Sequence, residues 1–177
     1  MKARLYGILD LGYVEPVAAL ETASQLLKGG VGILQLRAKG HEPSSLLPLA
    51  TELRALCRSA SVPFVVNDHV TLARDCGADG VHVGQEDLSV AEARQILGPS
   101  AIIGKSTHSV AQAIAAAAEH PDYIGFGPLF ATATKPDYQP IGIEQIEEVH
   151  RAVQVPIFCI GGISLKNLSL VVLAGAK

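Results

Sequence analysis

Residues 62–98 read VPFVVNDHVTLARDCGADGVHVGQEDLSVAEARQILG, and the fold is decided by how this stretch is divided. Pro63 to Val66 form a short uncharged run, β-branched and aromatic, that suits a buried strand. In VTLARDCGA, just after it, the apolar residues recur at helical spacing. The pattern then repeats, with GVHVGQ strand-like and LSVAEARQILG helical. Strand–helix units in direct succession argue for a parallel sheet with helices outside it.

Worked outward, the same alternation covers the chain. RLYGILD precedes EPVAALETASQLLKGG, and GILQLRAK precedes PSSLLPLATELRALCRSA. AIIGKST precedes SVAQAIAAAAEH, and YIGFGPLF precedes IGIEQIEEVHRAV after a loop at residues 131–141. PIFCIGGI and SLKNLSLVVLAGAK complete a seventh unit. No strand–helix junction carries G-x-G-x-x-G, and the units are short and similar in length. Both features fit a TIM (β/α)8-type barrel better than a doubly wound sheet. A closed barrel has eight strands, whereas this sequence ends after its seventh helix, at AGAK. The expectation is a single barrel domain over residues 1–177, lacking its eighth strand and helix, from a longer chain.

Composition bounds the function. At 177 residues, 49% hydrophobic and 18% charged, the chain supports one core rather than two domains. Aromatics make up 5% and Trp is absent, so small and β-branched residues fill the interior, as in a parallel sheet covered on both faces. A net charge of −3 without a basic stripe argues against a nucleic-acid partner. Cys57, Cys76 and Cys159 are odd in number and lack metal spacing, which reads as reduced thiols in a cytoplasmic protein. The opening apolar stretch stops at Asp10, so it is a first strand and no signal peptide. No run approaches the roughly 18 apolar residues of a membrane span.

In such barrels chemistry sits at the carboxyl ends of the strands, and the unusual polar residues fall there. In the second strand Gln35, Arg37 and Lys39 alternate with Leu36 and Ala38, and a period of two sends the polar three to one side. Arg and Lys on one face suit a polyanion; the alternative is a pair of surface cations. Asn67 and Asp68 end the third strand, and Gln85, Glu86 and Asp87 the fourth. Either these form a turn and a helix cap, or the two aspartates hold a hard cation. Magnesium binds in the second way, through one or two carboxylates plus substrate phosphates. Asp87 is also placed to cap the next helix, a job that Ser89 does equally well.

Ser106, Thr107 and His108 after the fifth strand are phosphate donors or caps. Thr132, Thr134 and Lys135 lie on a loop long enough to cover a ligand, without the Walker pattern. Gly161 and Gly162 after the seventh strand either admit backbone N–H groups to a phosphate at a helix start or make a tight left-handed turn. His82, Tyr123 and Phe126 read as core. Cys57, in a helix, and Cys159, in a buried strand, read as non-catalytic.

QLRAK, VNDH, GADGVHVGQEDL, IIGKSTHS, DYIGFGPLFATATK and IFCIGGI, in this order over essentially the whole chain, resemble the thiamine phosphate synthase family. The resemblance implies a TIM barrel that joins 4-amino-2-methyl-5-(diphosphooxymethyl)pyrimidine to 4-methyl-5-(2-phosphooxyethyl)thiazole, giving thiamine phosphate and pyrophosphate. It implies that Gln35, Leu36, Arg37, Ala38 and Lys39, with Asn67, Ser106 and Lys135, bind the pyrimidine diphosphate. Asp68 and Asp87 then hold Mg²⁺, and Thr132, Ala133 and Thr134 with Gly162 contact the thiazole phosphate. Arg37, Lys39, Ser106 and Lys135 are the implied catalytic set. The family's Ile/Val-Ser pair at the end of the eighth strand has no counterpart here. Two rivals are a TenI-like thiazole tautomerase and a non-catalytic phosphate-ligand sensor. The basic pair, the two carboxylates and the TATK loop together favour the synthase. The expected partners are small molecules. Unpaired first and seventh strand edges lead to an expectation of self-association, a homo-oligomer included.

Overall fold

Strand and helix alternate along the whole computed structural model, which describes residues 4–132 and 139–176. The order is β1 (Tyr6–Asp10), α1 (Ala19–Lys28), β2 (Ile33–Arg37), α2 (Pro43–Ser59), β3 (Phe64–Asn67), α3 (Val70–Asp75), β4 (Gly80–Val83) and α4 (Val90–Leu97). Then follow β5 (Ile102–Thr107), α5 (Val110–Ala118), β6 (Tyr123–Phe126), α6 (Ile146–Ala152), β7 (Ile157–Cys159) and α7 (Leu168–Leu173). This is the α/β repeat of the TIM-barrel type, with seven strands among the described residues. Among these residues no helix is long and apolar enough to cross a membrane.

Two compact units divide the chain, Met1–Val83 with Asp87–Ile103, and Gly84–Glu86 with Gly104–Lys177. In the first, β1, β2, β3 and β4 pair in parallel and in chain order, with Asp10 opposite Arg37 and Asn67 opposite His82. Its core joins Leu34, Leu36, Phe64, Val66, Val81 and Val83 to the helical Ala23, Ala50, Leu53, Ala73 and Ala93. Alanines on the helix faces let the helices approach the strands closely, which is how a chain so poor in aromatics still fills its interior. Gly80 takes this furthest. A Cβ there would lie 1.8 Å from the Ile102 carbonyl oxygen, and the Ile102 N–H is itself bonded to the Asp79 carbonyl at 2.9 Å.

In the second unit β5, β6 and β7 pair in parallel, again in chain order. Ile124, Phe126 and Leu129 pack there against Ala113, Ala116, Ile146, Val149 and Val171. Tyr123 and Phe126 are fully buried, as core residues should be.

Three expectations need correction. β2 ends at Arg37, so Lys39 does not share a strand face with Gln35 and Arg37. The chain turns at Lys39–Gly40, where Gly40 has φ 83° and the His41 N–H returns to the Ala38 carbonyl. Cys159 is half-buried rather than buried, in a strand paired along one edge with β6. Gly162 does not open a helix, because α7 begins only at Leu168.

Candidate functional site

In the first unit the site grows from the ends of β1, β2 and β3. Gln35 is 3% exposed, and its Nε2 donates to the Tyr6 hydroxyl at 2.9 Å. Leu36, on the opposite side of the strand, and Ala38, just past its end, belong to the core. Arg37 donates from Nη1 to Asp10 Oδ2 at 2.5 Å, and the two side chains are only 14% and 10% exposed. The other Asp10 oxygen accepts the Gly12 N–H at 2.9 Å. Sequence reasoning missed Tyr6 and Asp10 as parts of the site. Asp10 did carry a signal, a charged residue ending an apolar strand, but only the register between β1 and β2 gives it a partner.

Asp68 follows β3 in a left-handed conformation, φ 62°, with its N–H held by the His82 carbonyl at 2.8 Å. This backbone brings its carboxyl against that of Asp87. Burial, then the charge of Asp87 and a hydrogen bond with it, raise the Asp68 pKa above the usual carboxylate value; Lys39 and His69 pull the other way. Lys39 Nζ lies 3.9 Å from Asp68 Oδ2 and its side chain is 60% exposed, so it offsets the crowded charge only in part. Of the two candidates for the N-cap of α4, Ser89 takes the position, through a reciprocal pair with Glu92. Asn67 ends β3 beside this group, half-buried.

The donor set fits magnesium. Two crowded carboxylates present hard oxygens and a charge excess that a divalent cation relieves. No third His, Cys, Asp or Glu joins them in a ligand cluster among the described residues.

The second unit holds the remaining candidates. Ser106 is half-buried at the end of β5, where its carbonyl accepts from Gln85 Nε2 at 2.5 Å. Thr107 is buried with Oγ1 on the Gly125 carbonyl, and His108 Nδ1 lies 2.6 Å from the Gly127 carbonyl. Ser109 caps α5 through the Gln112 N–H, which removes the capping alternative for Ser106 to His108. Gly161 and Gly162 make the left-handed turn, with φ 96° and 64°. They also admit a close approach, since a Cβ on Gly162 would lie 2.6 Å from the Ala131 carbonyl oxygen. Half-buried Thr132 is thereby brought near Gly162. Ala133, Thr134 and Lys135 lie outside the described residues.

No cysteine competes for a chemical role. Burial pushes the thiols of Cys57 and Cys159 up to about 11, and burial raises that of Cys76. All three stay protonated at neutral pH and are poor nucleophiles.

A family model described as thiamine monophosphate synthase matches residues 5–177. The thiamine-phosphate synthase of Pelotomaculum thermopropionicum is 41% identical over 178 aligned residues, covering 100% of this chain and 82% of that protein. That of Gloeobacter violaceus is 43% identical over 158 residues, covering 89% of this chain but only 46% of the longer protein. The solved thiamine phosphate pyrophosphorylase from Pyrococcus furiosus superposes with a TM-score of 0.88 at 33% identity, over 99% of this chain and 83% of its own. With strand ends that bear a carboxylate pair, a paired arginine and an adjacent lysine, the chain belongs to the thiamine monophosphate synthase family.

Proposed function

We propose that this chain supplies the transferase site that condenses the diphosphooxymethyl pyrimidine with the phosphooxyethyl thiazole to thiamine phosphate and pyrophosphate. The observation that carries the reading is the Asp68–Asp87 pair with Lys39 beside it, at the carboxyl side of the first unit's strands. In the reaction the bond between the pyrimidine methylene carbon and the diphosphate oxygen breaks. The thiazole nitrogen lone pair forms the new C–N bond to that carbon, and pyrophosphate departs with the electron pair. The aminopyrimidine ring stabilises positive charge at its methylene carbon, so the protein need provide no nucleophile, in keeping with its protonated thiols.

The protein's work is electrostatic and geometric. Arg37 and Lys39 meet the diphosphate from the β2 end, with Gln35 and Asn67 orienting the pyrimidine. Ser106 and Lys135 complete its contacts, while Thr132, Ala133, Thr134 and Gly162 receive the thiazole phosphate. Asp68 and Asp87 are the residues to hold Mg²⁺, which when bound supplies positive charge for the leaving diphosphate. The domain assignment that goes with this reading is one barrel domain over residues 1–177.

The test is an assay of thiamine phosphate and pyrophosphate formation from both substrates, with and without Mg²⁺. Equal release of the two products, dependent on Mg²⁺ and lost in Asp68→Ala and Asp87→Ala, is expected. Isomerisation of the thiazole without the pyrimidine substrate, or ligand binding without turnover, overturns the reading in favour of a tautomerase or a sensor.

A further inference from the structure

We propose that Asp10 is the positioning residue for Arg37, fixing its guanidinium for the diphosphate of the pyrimidine substrate; this rests on the function proposed above. Asp10 and Arg37 stand opposite one another in the parallel β1–β2 register, at the carboxyl ends of both strands. Asp10 Oδ2 takes the Arg37 Nη1 at 2.5 Å. A guanidinium has five N–H donors in a rigid planar fork, so anchoring one of them sets the directions of the others.

The anchor is itself held. Asp10 Oδ1 accepts the Gly12 N–H at 2.9 Å, and the Asp10 carbonyl accepts the N–H groups of Tyr13 and Val14, each at 3.0 Å. The Leu11 N–H bonds to the Arg37 carbonyl at 2.9 Å, which ties the two strand ends together beside the pair. With side chains 10% and 14% exposed, this is no ordinary surface ion pair. Apolar residues often replace a buried ion pair without loss of stability, so packing alone does not require one here. A diphosphate-binding arginine does require it, because a long, freely rotating side chain presents its donors in many directions. β1 supports Gln35 in the same way, through the Tyr6 hydroxyl.

The test measures calorimetric affinity for each substrate alone in the parent protein, Asp10→Asn, Arg37→Gln and the double variant, with circular dichroism checking the fold. Asp10→Asn keeps an acceptor for the Gly12 N–H and removes the charge. It should weaken pyrimidine diphosphate binding about tenfold and leave thiazole phosphate within about twofold, a typical coupling for contacting residues. In the Arg37→Gln background it should add nothing further. Asp10→Ser, which also keeps a local acceptor, carries the same expectations if the Asn variant does not fold. Unchanged diphosphate affinity, an equal loss for both ligands, or a further loss on top of Arg37→Gln overturns the positioning role and leaves the functional reading standing. A parent protein that does not bind the pyrimidine diphosphate overturns the functional reading and this inference with it.

Discussion

Gly80→Ala adds one methyl group where β4 begins, and the structure has no room for it. The new Cβ falls 1.8 Å from the Ile102 carbonyl oxygen and 2.6 Å from its carbon, both backbone atoms that cannot swing aside as a side-chain tip would. Gly80 has no positive φ, so the cost is steric rather than conformational. Overpacking of this kind costs about 1–3 kcal/mol. Pushing Ile102 away also breaks its N–H bond to the Asp79 carbonyl, about 1 kcal/mol more. The sum, roughly 2–4 kcal/mol, is a large share of a total stability of about 5–15 kcal/mol. For a chain of this size it lowers Tm by roughly 4–16 °C. Because β4 leads toward Asp87 and pairs with the strand before Asp68, the same push reaches the carboxylate pair. Thermal melting followed by circular dichroism, with urea denaturation for the free energy, measures the loss. A variant melting within about 2 °C of the parent would show that the backbone yields more cheaply than the packing allows.

The pH dependence of Asp68 has a definite sign. Its pKa is raised on folding, so its contribution to stability is fully present below the ordinary carboxylate range and is lost as pH rises through the raised folded value. Asp68→Asn should therefore be more stable than the parent at neutral pH without Mg²⁺ and lose that advantage in acid; urea titrations across this range showing the reverse would refute the assignment. Ser89→Ala should cost about 1 kcal/mol through loss of the α4 cap, measured by urea denaturation. Asp87→Ala should not share that loss, and an equal loss in both would restore the capping role of Asp87. The Cys57 thiol, fully buried and held near 11 by that burial, should resist iodoacetamide at neutral pH until the protein unfolds; fast alkylation in the native state, followed by mass spectrometry, would contradict its burial.

The repeat was legible because periodicity is local, and β3-α3-β4-α4 could be read from residues 62–98 alone. The carboxylate pair was legible for a related reason, since polar residues ending apolar strands stand out. Lys39 was misplaced because the alternation of polar and apolar residues runs past the end of the strand, into a turn that Gly40 makes. The choice between Asp87 and Ser89 as cap could not be made from spacing, because both stand just before the helix. Cap geometry decides it. The Asp10–Arg37 pair joins residues 27 apart in the chain and exists only once two strands are in register. Distances of that kind are products of the fold, whereas helix and strand periods are written along the chain.

The left-handed backbone at Asp68 bears on how this protein responds to selection for heat resistance. A side chain held at φ 62° costs on the order of 1 kcal/mol or more in backbone strain, and here it also carries a buried carboxyl crowded against that of Asp87. Glycine at position 68 relieves both burdens, and asparagine relieves the second while tolerating the first. A laboratory screen that rewards only survival at high temperature thus favours exactly those replacements, and its most durable winners should be those that have discarded the carboxylate proposed to hold the metal.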